Sequence, residues 1–172
     1  LFSLDLLFKK IREYDLRDRV TISHAWCLAN LPDTRYQPIA EAFQELGIGI
    51  ITHVPGHVPF PSLKQARRWQ VRYGVGTNDM RERVMLLASL SDFRRREDLE
   101  LAYDAGTYGS ASVLGLPDYG LSEGCWADMV VFPVENRACA LLEGPMPRFV
   151  IKRGVLVARD GELTDAVPPC PE

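Results

Sequence analysis

Three short apolar runs, at 19–23, 48–52 and 71–75, alternate with stretches of helical spacing, and no other feature constrains the fold of this chain as strongly. A strand that feeds a helix and then another strand builds a parallel sheet with crossover helices. The first run sets Val20 and Ile22 between Arg19, Thr21 and Ser23. The second, ending Ile50-Ile51-Thr52, is apolar enough to be covered on both faces. Ahead of the first run, Leu4, Leu7, Phe8 and Ile11 share one helical face, with Ser3 as the expected N-cap. Ile39, Ala40, Phe43 and Leu46 share another over 36–46, with Gly47 as its C-cap. Helical spacing returns at 62–69, 80–90 and 97–105.

The pattern changes near Leu116, where Pro117, Gly120 and Gly124 mark turns. Short β-like runs follow at 129–132, 149–152 and 155–158, with Arg153-Gly154 as a hairpin turn. Two domains are therefore expected, 1–115 and 116–172, the second a small β unit.

Composition excludes several functions. A net charge of -3 gives no basis for a nucleic-acid surface. No apolar run approaches the roughly 20 residues that a bilayer requires. Cys27, Cys125, Cys139 and Cys170 are too scattered for a zinc knuckle or a disulfide framework, so a reducing cytoplasm is the expected compartment.

The candidate chemistry lies at strand ends, where active sites of parallel α/β proteins collect. His24 ends the first run, followed by Ala25-Trp26-Cys27. An imidazole there can bind a metal or move a proton near neutral pH. His53 and His57 are four residues apart, the spacing of a helical zinc pair, but Pro55 and Gly56 remove the helix, and the segment reads as a substrate-facing loop. Gly74-Val75-Gly76-Thr77 lacks the remaining residues of a dinucleotide or P-loop motif, and Asp79 suits the positive end of the helix that follows.

Six segments, in order, carry a resemblance. They are 20–28 (VTISHAWCL), 52–61 (THVPGHVPFP), 107–116 (TYGSASVLGL), 119–124 (YGLSEG), 127–131 (ADMVV) and 150–158 (VIKRGVLVA). Together they resemble the amidohydrolase superfamily, in the group of the cytosine deaminases and the N-isopropylammelide-type hydrolases. The resemblance implies a (β/α)8 barrel with a small β-sandwich. It also implies one or two divalent ions, zinc or iron, that activate water for attack on a carbon bonded to nitrogen. The expected fold of this chain is a partial barrel, its last three strands with their helices, followed by the C-terminal half of the sandwich. His24 falls on the family's sixth strand and is expected to act on the reacting group, the hydroxide or a second metal. Trp26, His53 and His57 are expected to line the substrate pocket. The family's eighth-strand metal ligand falls on Asn78 or on Asp79.

The chain departs from the family pattern in two ways. It begins just after the fifth strand, so the family's His-x-His pair and fifth-strand His and Glu lie outside it. Gly76-Thr77 also runs almost directly into Asn78-Asp79-Met80, without the loop the family has there. The expected substrate is a nitrogen heterocycle, and the expected partner a complementary N-terminal chain or a second copy, because a partial barrel leaves an open sheet edge. Two functions follow: a piece of a C–N hydrolase, or a catalytically inactive homologue serving as an interaction module.

Overall fold

The computed structural model describes residues 2–54, 56, 58–77 and 79–166. The chain divides into two compact units, Leu1–Gly115 and Leu116–Glu172. Among the described residues no helix is long and apolar enough to cross a membrane.

The first unit is built on a parallel sheet of three strands in the order β1 (Thr21–Ser23), β2 (Gly49–Thr52) and β3 (Arg72–Val75). Ile22 pairs with Ile50, and Ile50 with Tyr73. The crossovers are α2 (Asp33–Leu46), between β1 and β2, and α3 (Leu63–Arg68), between β2 and β3; α1 (Phe2–Glu13) comes first. After β3 come α4 (Met80–Leu90) and α5 (Arg96–Asp104), a π-helical segment at Ala105–Gly109, and α6 (Ser110–Leu114).

The apolar periodicities become the core. Leu4, Phe8 and Ile11 of α1 and Tyr36, Ala40, Phe43 and Leu46 of α2 are all buried. The Phe8 and Phe43 rings meet edge to face with centroids 5.8 Å apart. Gly47 ends α2 at φ 64°, its N–H bonded back to the last turn as a C-cap. The starts of α1 and α2 differ from the sequence reading. Ser3 lies inside α1, and α2 begins three residues earlier, at Asp33, with Pro38 inside it. Pro38 costs one backbone bond near the start of the helix, which tertiary burial of Tyr36 and Ala40 outweighs.

The sheet is unequal from strand to strand. Gly49, Ile50 and Thr52 of β2 and Tyr73, Gly74 and Val75 of β3 are buried, but no residue of β1 is. At the outer edge of β3, a side chain engages the backbone. Ser110 Oγ accepts from the Val75 N–H at 3.1 Å, and its proton can go to the carbonyl of Val75 at 2.7 Å or of Ala105 at 2.8 Å. Close approach requires glycine here. A Cβ on Gly74 would come 2.7 Å from the Ser110 Cα, and one on Gly109 would come 2.4 Å from the Tyr73 carbonyl oxygen. The π-helical turn delivers the hydroxyl to the strand edge, and no sequence periodicity announces it.

The second unit is an antiparallel sheet in the order β4 (Met129–Val131), β5 (Phe149–Lys152), β6 (Val155–Arg159) and β7 (Glu162–Leu163), with α7 (Arg137–Leu142) between β4 and β5. The β5–β6 turn is Arg153-Gly154, both at positive φ, 49° and 79°, as a two-residue hairpin turn demands. Asp128 fastens it: Oδ1 accepts from the Arg153 N–H at 2.6 Å, and Oδ2 pairs with Lys152. These bonds, that to Lys152 foremost, hold the Asp128 carboxyl below its ordinary range. Asp160-Gly161 makes the same kind of turn between β6 and β7. None of the strand residues of this sheet is fully buried.

Two predictions follow from the packing of the first unit. Ser110→Ala leaves the Val75 N–H unpaired in a buried site and should cost about 1–3 kcal/mol in urea unfolding; Gly74→Ala, which drives a methyl into the Ser110 backbone, should cost at least as much. A loss below about 0.5 kcal/mol in both would show that the β3 edge is not held this way. The second concerns alkaline pH. Tyr36 is 1% exposed and its hydroxyl has no hydrogen-bond partner among the described residues. Burial pushes its pKa up to about 12. Tyr73, whose hydroxyl donates to the Pro61 carbonyl at 2.9 Å, is raised as well, by burial first and then by Tyr36. Both folded-state values exceed the unfolded value near 10, so this stability is complete below about pH 10 and is lost as pH rises from there towards and beyond 12. Tyr36→Phe should leave stability at pH 7 intact and shrink the alkaline loss, read from denaturant midpoints between pH 7 and 11.

Candidate functional site

Two of the candidate residues stand at the ends of β1 and β2. His24 follows β1 directly, and His53 follows β2 directly. The ladder continues one residue past β1, because the His24 N–H donates to the Ile51 carbonyl at 2.7 Å. Parallel pairing therefore sets the two residues side by side at the C-terminal end of the sheet. Their Nδ1 atoms lie 3.1 Å apart in hydrogen-bonding geometry, with ring centroids 4.6 Å apart and planes at 74°. The site is partly buried.

The backbone around the pair is held in unusual conformations. His24 and Ala25 are consecutive left-handed residues at φ 66° and 49°, and the Ala25 N–H turns back to the Ser23 carbonyl at 2.8 Å. Val54 is also left-handed, at φ 49°, a costly state for a β-branched side chain. It is fully buried, and its N–H donates to the Thr52 hydroxyl at 3.2 Å. Arg83 of α4 brings Nη1 to 3.5 Å from the Val54 carbonyl, while its Nε is buried with no hydrogen-bond partner among the described residues. Such strain persists where surrounding structure enforces it, and it clusters at binding and catalytic sites.

Trp26 lies in a short 3-10 turn, Trp26–Leu28, and stacks on His24 with centroids 5.1 Å apart and planes at 29°. It is 49% exposed, so the indole both supports the imidazole and offers apolar surface beside it. Asp79 serves as the N-cap of α4, its Oδ1 accepting from the Glu82 N–H at 3.0 Å. His57 and Asn78 lie outside the described residues. A cleft of about 540 Å3, lined by residues that include Arg67, Tyr73, Asp104 and Tyr108, contains none of these groups.

The donor set bears on a metal. A catalytic zinc takes three protein ligands and keeps one open position. Here two imidazoles converge, but they face each other through Nδ1, and among the described residues no three His, Cys, Asp or Glu side chains gather. The described groups do not make up a metal centre. They place two imidazoles in contact beside an exposed indole.

Sequence reading singled out His24, Trp26 and His53 but did not pair the histidines. The signal was present: each stands immediately after a strand, and the strands are neighbours. Arg83 and the left-handed residues gave no signal, because neither positive φ at Val54 nor a buried guanidinium has a sequence signature.

No family model matches the sequence. N-isopropylammelide isopropyl amidohydrolase of Pseudomonas sp. (strain ADP) is 27% identical over 93% of this chain and 43% of that protein. The crystal structure of N-isopropylammelide isopropylaminohydrolase from Burkholderia multivorans ATCC 17616 matches with a TM-score of 0.90 at 35% identity, over 95% of this chain and 45% of that one. The 5-methylcytosine deaminase from Klebsiella pneumoniae, liganded with 5-fluorocytosine, shares the fold with a TM-score of 0.76 at 18% identity, over 96% and 46% of the two chains. The chain thus spans less than half the length of these relatives. Their fold is related to the TIM barrel, and the mixed α/β fold seen here follows it. The chain is a homologue of the N-isopropylammelide amidohydrolases and matches a C-terminal part of them.

Proposed function

We propose that this chain is part of an amidohydrolase that hydrolyses a C–N bond of an aminated nitrogen heterocycle, by deamination or dealkylamination. The observation that carries the proposal is the histidine pair at the C-terminal end of a parallel sheet, beside an exposed indole, in a chain 35% identical to an isopropylaminohydrolase. Parallel α/β enzymes bind substrate at that end of the sheet. In this reading His24 assists attack of water on the ring carbon, and Trp26 and His53 line the substrate site.

The first unit then supplies the last three strand–helix pairs of a (β/α)8 barrel, and the second a segment of a small β-sandwich. The exposure of β1 supports the first assignment, since an interior barrel strand left unpaired on one side keeps its residues in water. The unburied strands of the second sheet support the other, as one layer of a two-layer sandwich would look. The partner in this reading is a polypeptide that completes the barrel beside β1, a complementary chain or a second copy. The zinc or iron that the resemblance implies would draw its ligands from there, since the described residues do not complete a set.

The test is release of ammonia or amine from a panel of aminated pyrimidines and triazines, N-isopropylammelide and 5-methylcytosine among them. The chain is assayed alone and with the preceding part of the Burkholderia relative added as a separate polypeptide. His24→Ala should lower the rate about 100-fold, the usual scale for a lost proton-transfer group. No release in either arrangement, with folding confirmed by circular dichroism, would overturn the proposal.

A further inference from the structure

The contact between the histidines carries more than their proximity. A neutral imidazole holds one ring proton. Two bare Nδ1 atoms at 3.1 Å would set lone pair against lone pair, and two protonated ones would set N–H against N–H. Only one donor facing one acceptor makes the contact attractive. The ring that donates through Nδ1 has a bare Nε2, and the ring that accepts keeps its proton on Nε2. We propose that His24 and His53 form a proton-sharing dyad of opposite tautomers, which offers a base and an acid at once and exchanges their roles when the shared proton crosses between the Nδ1 atoms as one Nε2 takes up a proton and the other gives one up.

The geometry supports a preset pair. Each residue is fixed by its strand: His24 by the 2.7 Å bond to Ile51, and His53 by its place between Thr52, 2% exposed, and Val54, 0% exposed. Stacking on Trp26 further restricts the His24 ring. The backbone is left-handed at His24 itself and at Val54, the residue after His53.

For its chemical use this inference rests on the hydrolase reading. Hydrolysis of a C–N bond takes one proton from water and gives one to the departing nitrogen. His24 Nε2 accepts the proton of the water whose oxygen forms the new C–O bond. The proton on His24 Nδ1 crosses to His53 Nδ1. His53 Nε2 then donates its proton to the leaving nitrogen, which keeps the electron pair of the broken C–N bond. One water is consumed, one amine is released, and the dyad ends with both tautomers reversed. Solvent restores it by adding a proton at His53 Nε2 and removing one at His24 Nε2.

The tautomers can be read without turnover. In the full chain labelled with 15N-histidine, long-range proton–nitrogen spectra should show His24 and His53 in opposite tautomers, with a scalar coupling between their Nδ1 nuclei. His53→Gln should abolish that coupling, and the single variants His24→Gln, His53→Gln and His57→Gln assign the signals. Both rings in the same tautomer, or no coupling, would overturn the dyad whatever the chain hydrolyses. In the amine-release assay, His24→Gln and His53→Gln should each lower the rate about 100-fold, and the double variant should fall about as far as either single one. Independent losses multiplying towards 10,000-fold would overturn the relay. Coupled histidines in a chain that releases no amine would refute the hydrolase reading and leave the dyad standing.

Discussion

A single backbone bond, from the His24 N–H to the Ile51 carbonyl, organises much of the first unit. It extends the parallel ladder one residue past β1 and so fixes where the strand ends relative to its neighbour. Parallel strands run in the same sense, so their ends lie on one side of the sheet. The residue that closes the ladder is thereby placed beside the residue that leaves β2. The contact between the two imidazoles follows from that placement. The imidazoles meet, the backbone turns left-handed to let them meet, and the buried Thr52 and Val54 hold the turn from beneath.

The sheets were legible in the sequence because their signals are local. Apolar alternation over three to five residues is enough to mark β1, β2 and β3, and Arg153-Gly154 marks its hairpin directly. Helix boundaries were less legible. The apolar spacing begins at Tyr36, and the polar Asp33-Thr34-Arg35 ahead of it gives no period to mark the first turn of α2. The helix α7 was missed altogether: it has six residues, too few for a period to show, and its capping signal at Asn136 is a single side chain. Asp160-Gly161, a turn as plain as Arg153-Gly154, was passed over because the strand after it has only two residues.

The site shows the same division. Residue types and strand ends identified His24, and a neighbouring loop identified His53, yet their contact is a property of strand order. Strand order arises from packing across the sheet, between segments 29 positions apart in the chain. The π-helical turn that carries Ser110 to β3 is of the same kind. Serine in a helix is unremarked in sequence; what gives it meaning is that Gly74 has no side chain to keep it away.

Ser110 also governs how this sheet could grow. A sheet propagates as a filament only if both of its edges accept a new strand, because each added copy must offer an edge to the next. With the Val75 N–H and carbonyl engaged by the hydroxyl and Gly109 lying against the Tyr73 carbonyl, the β3 edge is occupied by its own chain. A strand that closes a barrel beside β3 must therefore take these groups from Ser110, so closure and release of this hydroxyl are one event.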